Sequence, residues 1–370
     1  MRRFLLTAML FVVSASDARA TSPAVKLDGY LEFRKGEYMI VDGQRVKAMP
    51  STQVSGYKSA ATIPVGYAMK VKGTRDAQGT VIASEIATKA NVVEGSEAQL
   101  ISGSDLAEST WVKAGAIVET DENGKQQSMG ALHTSGADYD RVHRIVDRVM
   151  PPYIDRSQVR VYVVDNKEWN AMAMPNYSVY VFTGIIHDLN DDELALVLGH
   201  EIAHATNEHS RRQSSHSTFS QIAGSVAMMG ASKIGNSTMR TVAQQATSLG
   251  YSAFNNNYSR DYEDQADRVG MRYAYEAGYD ETKGPELWHK FAARYGDMPK
   301  IQNYFYGNHS TSGDRAKNLE REIHNNYSTK LDPPTTAKTA TATKAATTTS
   351  TKAPTTSTKA PTATPTKTAK

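Results

Sequence analysis

Asn190-Asp191-Asp192-Glu193-Leu194-Ala195-Leu196-Val197-Leu198-Gly199-His200-Glu201-Ile202-Ala203-His204 is the stretch on which the reading of the whole chain turns. Asn190 has a side-chain oxygen that can accept from the first free backbone amides of a helix, and Glu193, three positions on, can reach back to the amide of Asn190; this is the capping-box pattern. Leu194, Val197, Leu198 and Ile202 then recur at the three-and-four spacing of a buried helix face. A core helix is predicted. His200 and His204 stand one turn apart on it, about 6 Å between Cβ atoms, so both imidazoles can reach a single Zn²⁺ at about 2 Å. Glu201 points beside such an ion. A carboxylate there can take the proton of a metal-bound water, whose pKa falls from about 16 toward 7, and pass it to a leaving amine.

A bare His-Glu-x-x-His match also arises by chance, so its surroundings decide. Two histidines and a glutamate on a largely apolar helix are costly to bury without a metal or partners. A helix with a purely structural role would carry Leu or Ala there. A four-coordinate catalytic site further requires a third protein ligand and one open position. Tyr258-Ser259-Arg260-Asp261-Tyr262-Glu263-Asp264-Gln265-Ala266-Asp267-Arg268-Val269-Gly270 reads as a second helix, with Glu263 and Asp267 one turn apart and small Ala266 permitting close packing. From these residues alone two readings stand. Either Glu263 is a ligand and Asp267 supports a ligand histidine, or both belong to a solvated acidic face with Asp261 and Asp264.

The 370 residues allow more than one folded unit. Residues 1–20 open Met-Arg-Arg, continue through the apolar run 4–13 and end Ala18-Arg19-Ala20, the layout of a cleavable secretory signal. That run is too short for a membrane-spanning helix. The chain is therefore expected to be exported, periplasmic or extracellular, with no transmembrane helix in its mature form. With no cysteine, thiol catalysis and thiolate metal sites are excluded and any metal must use His, Asp or Glu. The net charge of +3 makes no case for nucleic acid.

Residues 27–100 contain short β-rich runs at 29–33, 38–41, 44–48, 67–72 and 81–88, with turns such as Asp42-Gly43 between them, and predict a small OB-like antiparallel barrel. Such barrels often bind oligonucleotides or sugars, and a spacer or inhibitory cap fits equally. Residues 101–130 are polar and weakly patterned and are read as a linker. From 131 to 328 the pattern turns mainly helical. Val142, Ile145, Val146 and Val149 form a helical stripe stopped by Pro151-Pro152, and 158–164, 170–174 and 178–182 predict a three-stranded antiparallel sheet with Pro175-Asn176 as a turn. The glycines at 224, 230, 235 and 250 suggest a mobile segment over a cleft. Residues 329–370, rich in Thr, Lys, Ala and Pro, cannot build a core and are expected to be disordered; their lysines could hold the chain weakly near an anionic envelope surface. The expected class is α+β: a small all-β barrel, then a mainly helical zincin-type domain with a small antiparallel sheet.

Four ordered elements between about 135 and 320 resemble the HtpX/BepA-like zinc metalloendopeptidases of metallopeptidase family forty-eight, in the gluzincin group. They are Asn170-Ala171-Met172-Ala173, His200-Glu201-Ile202-Ala203-His204 followed by His209, Glu263-Asp264-Gln265-Ala266-Asp267, and His309 with Arg315 six residues later. The resemblance implies one Zn²⁺ per chain held by His200, His204 and Glu263, with Glu201 as general base and Asp267 as an assisting acid or orienting group. It further implies substrate binding by Asn170 and Ala171 on an edge strand, which would pair with extended polypeptide, and by His309 and Arg315 near the scissile carbonyl. The sequence departs from the family at Ser310, where proline is usual. His209 is expected to hydrogen bond rather than ligate. The function implied is cleavage of unfolded or flexible envelope proteins. The alternative is an envelope-associated binding protein that works through its barrel and basic tail, with a latent zinc site; Glu201 favours the enzyme, because a structural zinc needs no base beside it.

Overall fold

The computed structural model describes residues 23–89, 105, 108, 111–120, 125–213, 258–295 and 312–327. The expected signal at 1–20, the glycine-containing segment 222–250, His309 and the tail from 329 lie outside the described residues.

Five strands, β1 (Ala24–Lys35), β2 (Tyr38–Val41), β3 (Gln44–Ser55), β4 (Ala68–Arg75) and β5 (Val81–Thr88), close into a barrel in the order β1-β2-β3-β5-β4. Every pairing is antiparallel except β3 with β5, which is parallel. Leu31, Val41, Val46, Ile63, Tyr67, Met69, Val71 and Ile86 fill the interior. The alternation of apolar and polar residues along the β-rich runs puts them there.

A six-stranded sheet follows, with strands β6 (Val112–Lys113), β7 (Ala116–Thr120), β8 (Gln126–His133), β9 (Arg160–Val164), β10 (Ala171–Ala173) and β11 (Ser178–Phe182) in the order β10-β11-β9-β8-β7-β6. Two expectations are corrected here. Residues 101–130, read as a linker, supply β6, β7 and the start of β8. Apart from Ile117 their described residues are partly buried or exposed, so they carry little apolar signal, yet Trp111 and Ile117 anchor them in a cluster with Tyr180 and Phe182. The sheet is also not wholly antiparallel, because β11 lies parallel to β9. Pro175-Asn176 does turn β10 back onto β11, but no tight turn joins β9 to β10, and the chain returns to place β11 between them. Burial of all five β11 residues suits this central position.

Seven α-helices are described: α1 (Ala137–Val149), α2 (Thr183–Asp188), α3 (Asp191–Thr206), α4 (His209–Gln213), α5 (Arg260–Glu276), α6 (Lys283–Tyr295) and α7 (Ser312–Glu322). The α1 stripe is buried as its spacing predicts. Helix α3 begins with the expected capping box of Asn190 and Glu193. Its apolar stripe, however, understates its burial: every residue from Glu193 to Thr206 is buried, because α1, the sheet, α5 and α6 surround it. Contact with α5 is closest at Gly199 and Gly270, where a Cβ on Gly199 would lie 2.5 Å from the Gly270 carbonyl oxygen. Glycine at both positions lets the two backbones meet beside His200. No described helix is long and apolar enough to cross a membrane.

Candidate metal centre

His200 and His204, one turn apart on α3, turn their Nε2 atoms to within 3.0 Å of each other. Glu263, in the first turn of α5 after its Ser259 cap, brings Oε2 to 3.4 Å from Nε2 of His200 and Oε1 to 3.4 Å from Nε2 of His204. The three ligand atoms lie within 4.8 Å of one another and all three residues are buried. The structure thus resolves Glu263 in favour of the inward-facing reading.

Each imidazole is held from behind. Nδ1 of His200 is 2.9 Å from Oδ1 of Asp267, and Nδ1 of His204 is 2.8 Å from Nδ1 of His209. With both Nδ1 positions engaged in hydrogen bonds, the Nε2 lone pairs are left facing each other beside a carboxylate. Such a cluster is satisfied only by a cation at its centre, either a proton or a metal. Burial opposes charge on His200, but its hydrogen bonds to Asp267 and Glu263 prevail and lift it to about 9. Two imidazoles and one carboxylate suit Zn²⁺, which takes three protein ligands and an exchangeable water in catalytic sites. The residues present fit the ion.

Glu201, one residue past the first histidine, is buried and receives a backbone hydrogen bond from Ala173 of β10. Burial, reinforced by Glu263 and opposed by His200, raises it to about 7. Asp267 is held the other way: burial disfavours its charge, yet Arg315 and His200 keep it below the ordinary carboxylate range. An ionised carboxylate orients a histidine and has no proton to donate, so of its two expected roles the geometry supports the orienting one.

Arg315 is fully enclosed. Its Nε donates to Oδ2 of Asp267 at 2.7 Å and one terminal nitrogen to Oδ1 at 2.6 Å, while the guanidinium lies 3.4 Å from the centroid of the Trp288 ring. Expected near the scissile carbonyl, Arg315 is bridged in bidentate fashion to Asp267, behind His200, with a terminal nitrogen also 3.4 Å from Oε2 of Glu263. Asn170 is buried, and among the described residues neither its Oδ1 nor its Nδ2 has a hydrogen-bond partner. It precedes β10, the outer strand of the sheet, whose Ala171 and Ala173 pair with β11 on one edge. A narrow cleft lies between this strand and α3, lined by Ala173, Met174, Tyr177, His204 and Tyr258 among others.

Sequence reasoning missed several residues at the centre. Tyr258 stacks on His204 with 4.2 Å between ring centroids, and Tyr262 stacks on His209 at 4.8 Å. Gln265 accepts at Oε1 from Nε2 of His209 at 2.8 Å. Its position between Glu263 and Asp267 was the one available signal; the tyrosines offered none.

A buried pair of helix-borne histidines, a carboxylate from a second helix and a glutamate beside the edge strand are the side chains of a metallohydrolase. The model of peptidase family M48 matches residues 137–323, and the chain belongs to that family of hydrolases acting on peptide bonds. The chain is 32% identical over 168 residues to the mitochondrial metalloendopeptidase OMA1 of Bos taurus, covering 44% of this chain and 32% of that protein. It is 27% identical over 237 residues to the beta-barrel assembly-enhancing protease of Yersinia pestis, covering 55% and 45%. Against the metalloprotease YcaL of Escherichia coli (strain K12) the identity is 27% over 174 residues, covering 46% and 64%. The chain thus spans less than two thirds of the length of these curated relatives.

Proposed function

We propose that this protein is a zinc endopeptidase of the cell envelope that cleaves extended, flexible polypeptides. His200, His204 and Glu263 would hold the ion, which supplies Lewis acidity to a carbonyl oxygen and acidifies a water. The convergence of these three buried side chains, with Glu201 beside them, is the observation that carries the reading.

Glu201 takes the proton of the attacking water and returns it to the leaving nitrogen. Its hydrogen bond from Ala173 fixes the carboxylate against the strand on which substrate lies. Asp267 orients His200 and is itself held by Arg315, so the acid behind the histidine stays ionised throughout. Substrate adds as a further strand along β10, and the buried amide of Asn170 hydrogen bonds its backbone. Backbone pairing needs several extended residues, which favours unfolded segments over compact domains. Similarity to the beta-barrel assembly-enhancing protease supports an envelope setting, as does the signal-like start at 1–20.

Casein cleavage by wild type, by Glu201→Gln and by chelated wild type tests the mechanism. Loss of a general base should lower kcat at least about 10²-fold, and chelation should abolish turnover. Equal cleavage by wild type and Glu201→Gln would overturn the mechanism.

A further inference from the structure

Glu32 lies on β1 of the barrel, outside the family's matched region, and is 0% exposed. A carboxylate buried that completely needs dedicated partners. It has three. Gly43 donates its backbone N–H to Oε2 at 3.0 Å, Arg268 of α5 donates to Oε1 at 2.6 Å, and Gln265 of α5 donates its side-chain amide to the same Oε1 at 2.5 Å. A bulge in β1 aims the side chain there. The register against β2 shifts between Leu31 and Phe33, and alternation breaks: Leu31 fills the barrel core, whereas Phe33 packs into the core of the helical half. Bulges are a known means of redirecting one side chain.

The hydrogen bonds leading from Glu32 have only one self-consistent direction. Oε1 of Glu32 accepts from Arg268 and from Gln265, so the Gln265 atom facing it is the amide nitrogen. Arg212 can only donate, and its 2.5 Å contact is with Gln265 Oε1. That same oxygen faces Nε2 of His209, which must therefore carry a hydrogen. In the tautomer that carries its hydrogen on Nε2, the other ring nitrogen of His209, Nδ1, is bare and lies 2.8 Å from Nδ1 of His204. Bare Nδ1 then accepts from Nδ1–H of His204, and that tautomer leaves Nε2 of His204 bare and directed at Glu263 and His200. Tyr262 stacked on His209 and Tyr30 of the barrel under the Arg212 guanidinium, 3.4 Å from its ring centroid, keep the links in place.

We propose that Glu32 is a positioning residue of the metal centre: through Gln265 and His209 its carboxylate sets the tautomer and basicity of His204, which makes the barrel a working part of the peptidase. The two ligand histidines are thus supported by different domains, His200 directly by Asp267 and His204 remotely by Glu32. The inference rests on the metal-centre reading above. It assigns the barrel a task within the chain, independent of any ligand on its surface.

The test uses the full chain and measures zinc affinity by competition with a chromophoric chelator. Glu32→Gln keeps the shape and removes the charge; it should weaken zinc binding about tenfold, the lower end of the range for removing a ligand's partner. It should also shrink the rise in melting temperature that zinc produces. A purely structural defect would lower the apo and zinc-loaded melting temperatures together. In a His209→Phe background, where the path is cut but the ring stacking kept, Glu32→Gln should cost no further affinity. Gln265→Leu cuts the same path while leaving the Glu32–Arg268 pair, so it decides the matter if Glu32→Gln fails to fold; it should show the same loss. Zinc affinity within about twofold of wild type in these single variants, or an undiminished Glu32→Gln effect in the His209→Phe background, would overturn the proposal. Failure of the wild type to bind one zinc, or retention of zinc affinity by Glu263→Gln, would instead refute the metal-centre reading.

Discussion

Gly270→Ala separates a centre built by helix packing from one built by local sequence. In α5, alanine in place of glycine favours the isolated helix by up to about 1 kcal/mol. The structure predicts the opposite sign. A Cβ on Gly270 would stand 2.4 Å from the backbone nitrogen of His200 and 2.6 Å from the Gly199 carbonyl carbon, against 3.4 Å for ordinary contact. The obstructing atoms are backbone in the middle of α3, so relief requires the helices to part by about 1 Å at their crossing. Overpacking of this kind costs about 1–3 kcal/mol, so the net change is a loss of about 0–2 kcal/mol once propensity is credited. Glu263 lies two turns before Gly270 on the same helix and moves with it, whereas metal–ligand distances tolerate only about 0.2 Å. Zinc affinity should therefore fall at least about tenfold, equivalent to about 1.4 kcal/mol. Urea unfolding of the apoprotein and chelator competition measure the two effects. A Gly270→Ala protein that is more stable than wild type and binds zinc equally well would refute the packing argument.

Zinc uptake should be proton-linked. His200 is raised to about 9 without metal and must lose its proton to ligate, so affinity should rise roughly tenfold per pH unit up to about 9 and then level off; a flat profile between pH 7 and 9 contradicts this. Arg315→Met should destabilise the fold by about 3–5 kcal/mol, since it breaks a buried bidentate pair and leaves Asp267 only His200. Urea unfolding reads that directly, and a loss below about 1 kcal/mol would show that the bridge is dispensable.

The legible part of this protein is its local physics. Asn190 and Glu193 announce where α3 starts, and His200, Glu201 and His204 need only helical pitch to bring two imidazoles together on one face. The barrel was readable because β4 alternates between interior and solvent and the other strands are short β-rich runs divided by turn residues. Less was readable where the apolar signal is thin: β6 to β8 hold their place through Trp111 and Ile117 within polar surroundings. The parallel pairing of β11 with β9 was hidden as well, since strand order follows from chain return and not from any residue in the strands.

Whether Glu263 was a ligand or part of a solvated face could not be settled by spacing, because 58 residues separate it from His204 and no local rule spans them. Packing turned its side chain inward beside the two imidazoles, through two glycines that let α3 and α5 touch. Packing likewise directed Arg315 to Asp267 and brought Glu32, 233 residues from Gln265 in the chain, within hydrogen-bond distance of it. Residue types and short-range periodicity therefore determined the chemistry available to this chain. The tertiary fold decided which of its charged groups meet, because a buried charge is stable only where distant segments supply its partner.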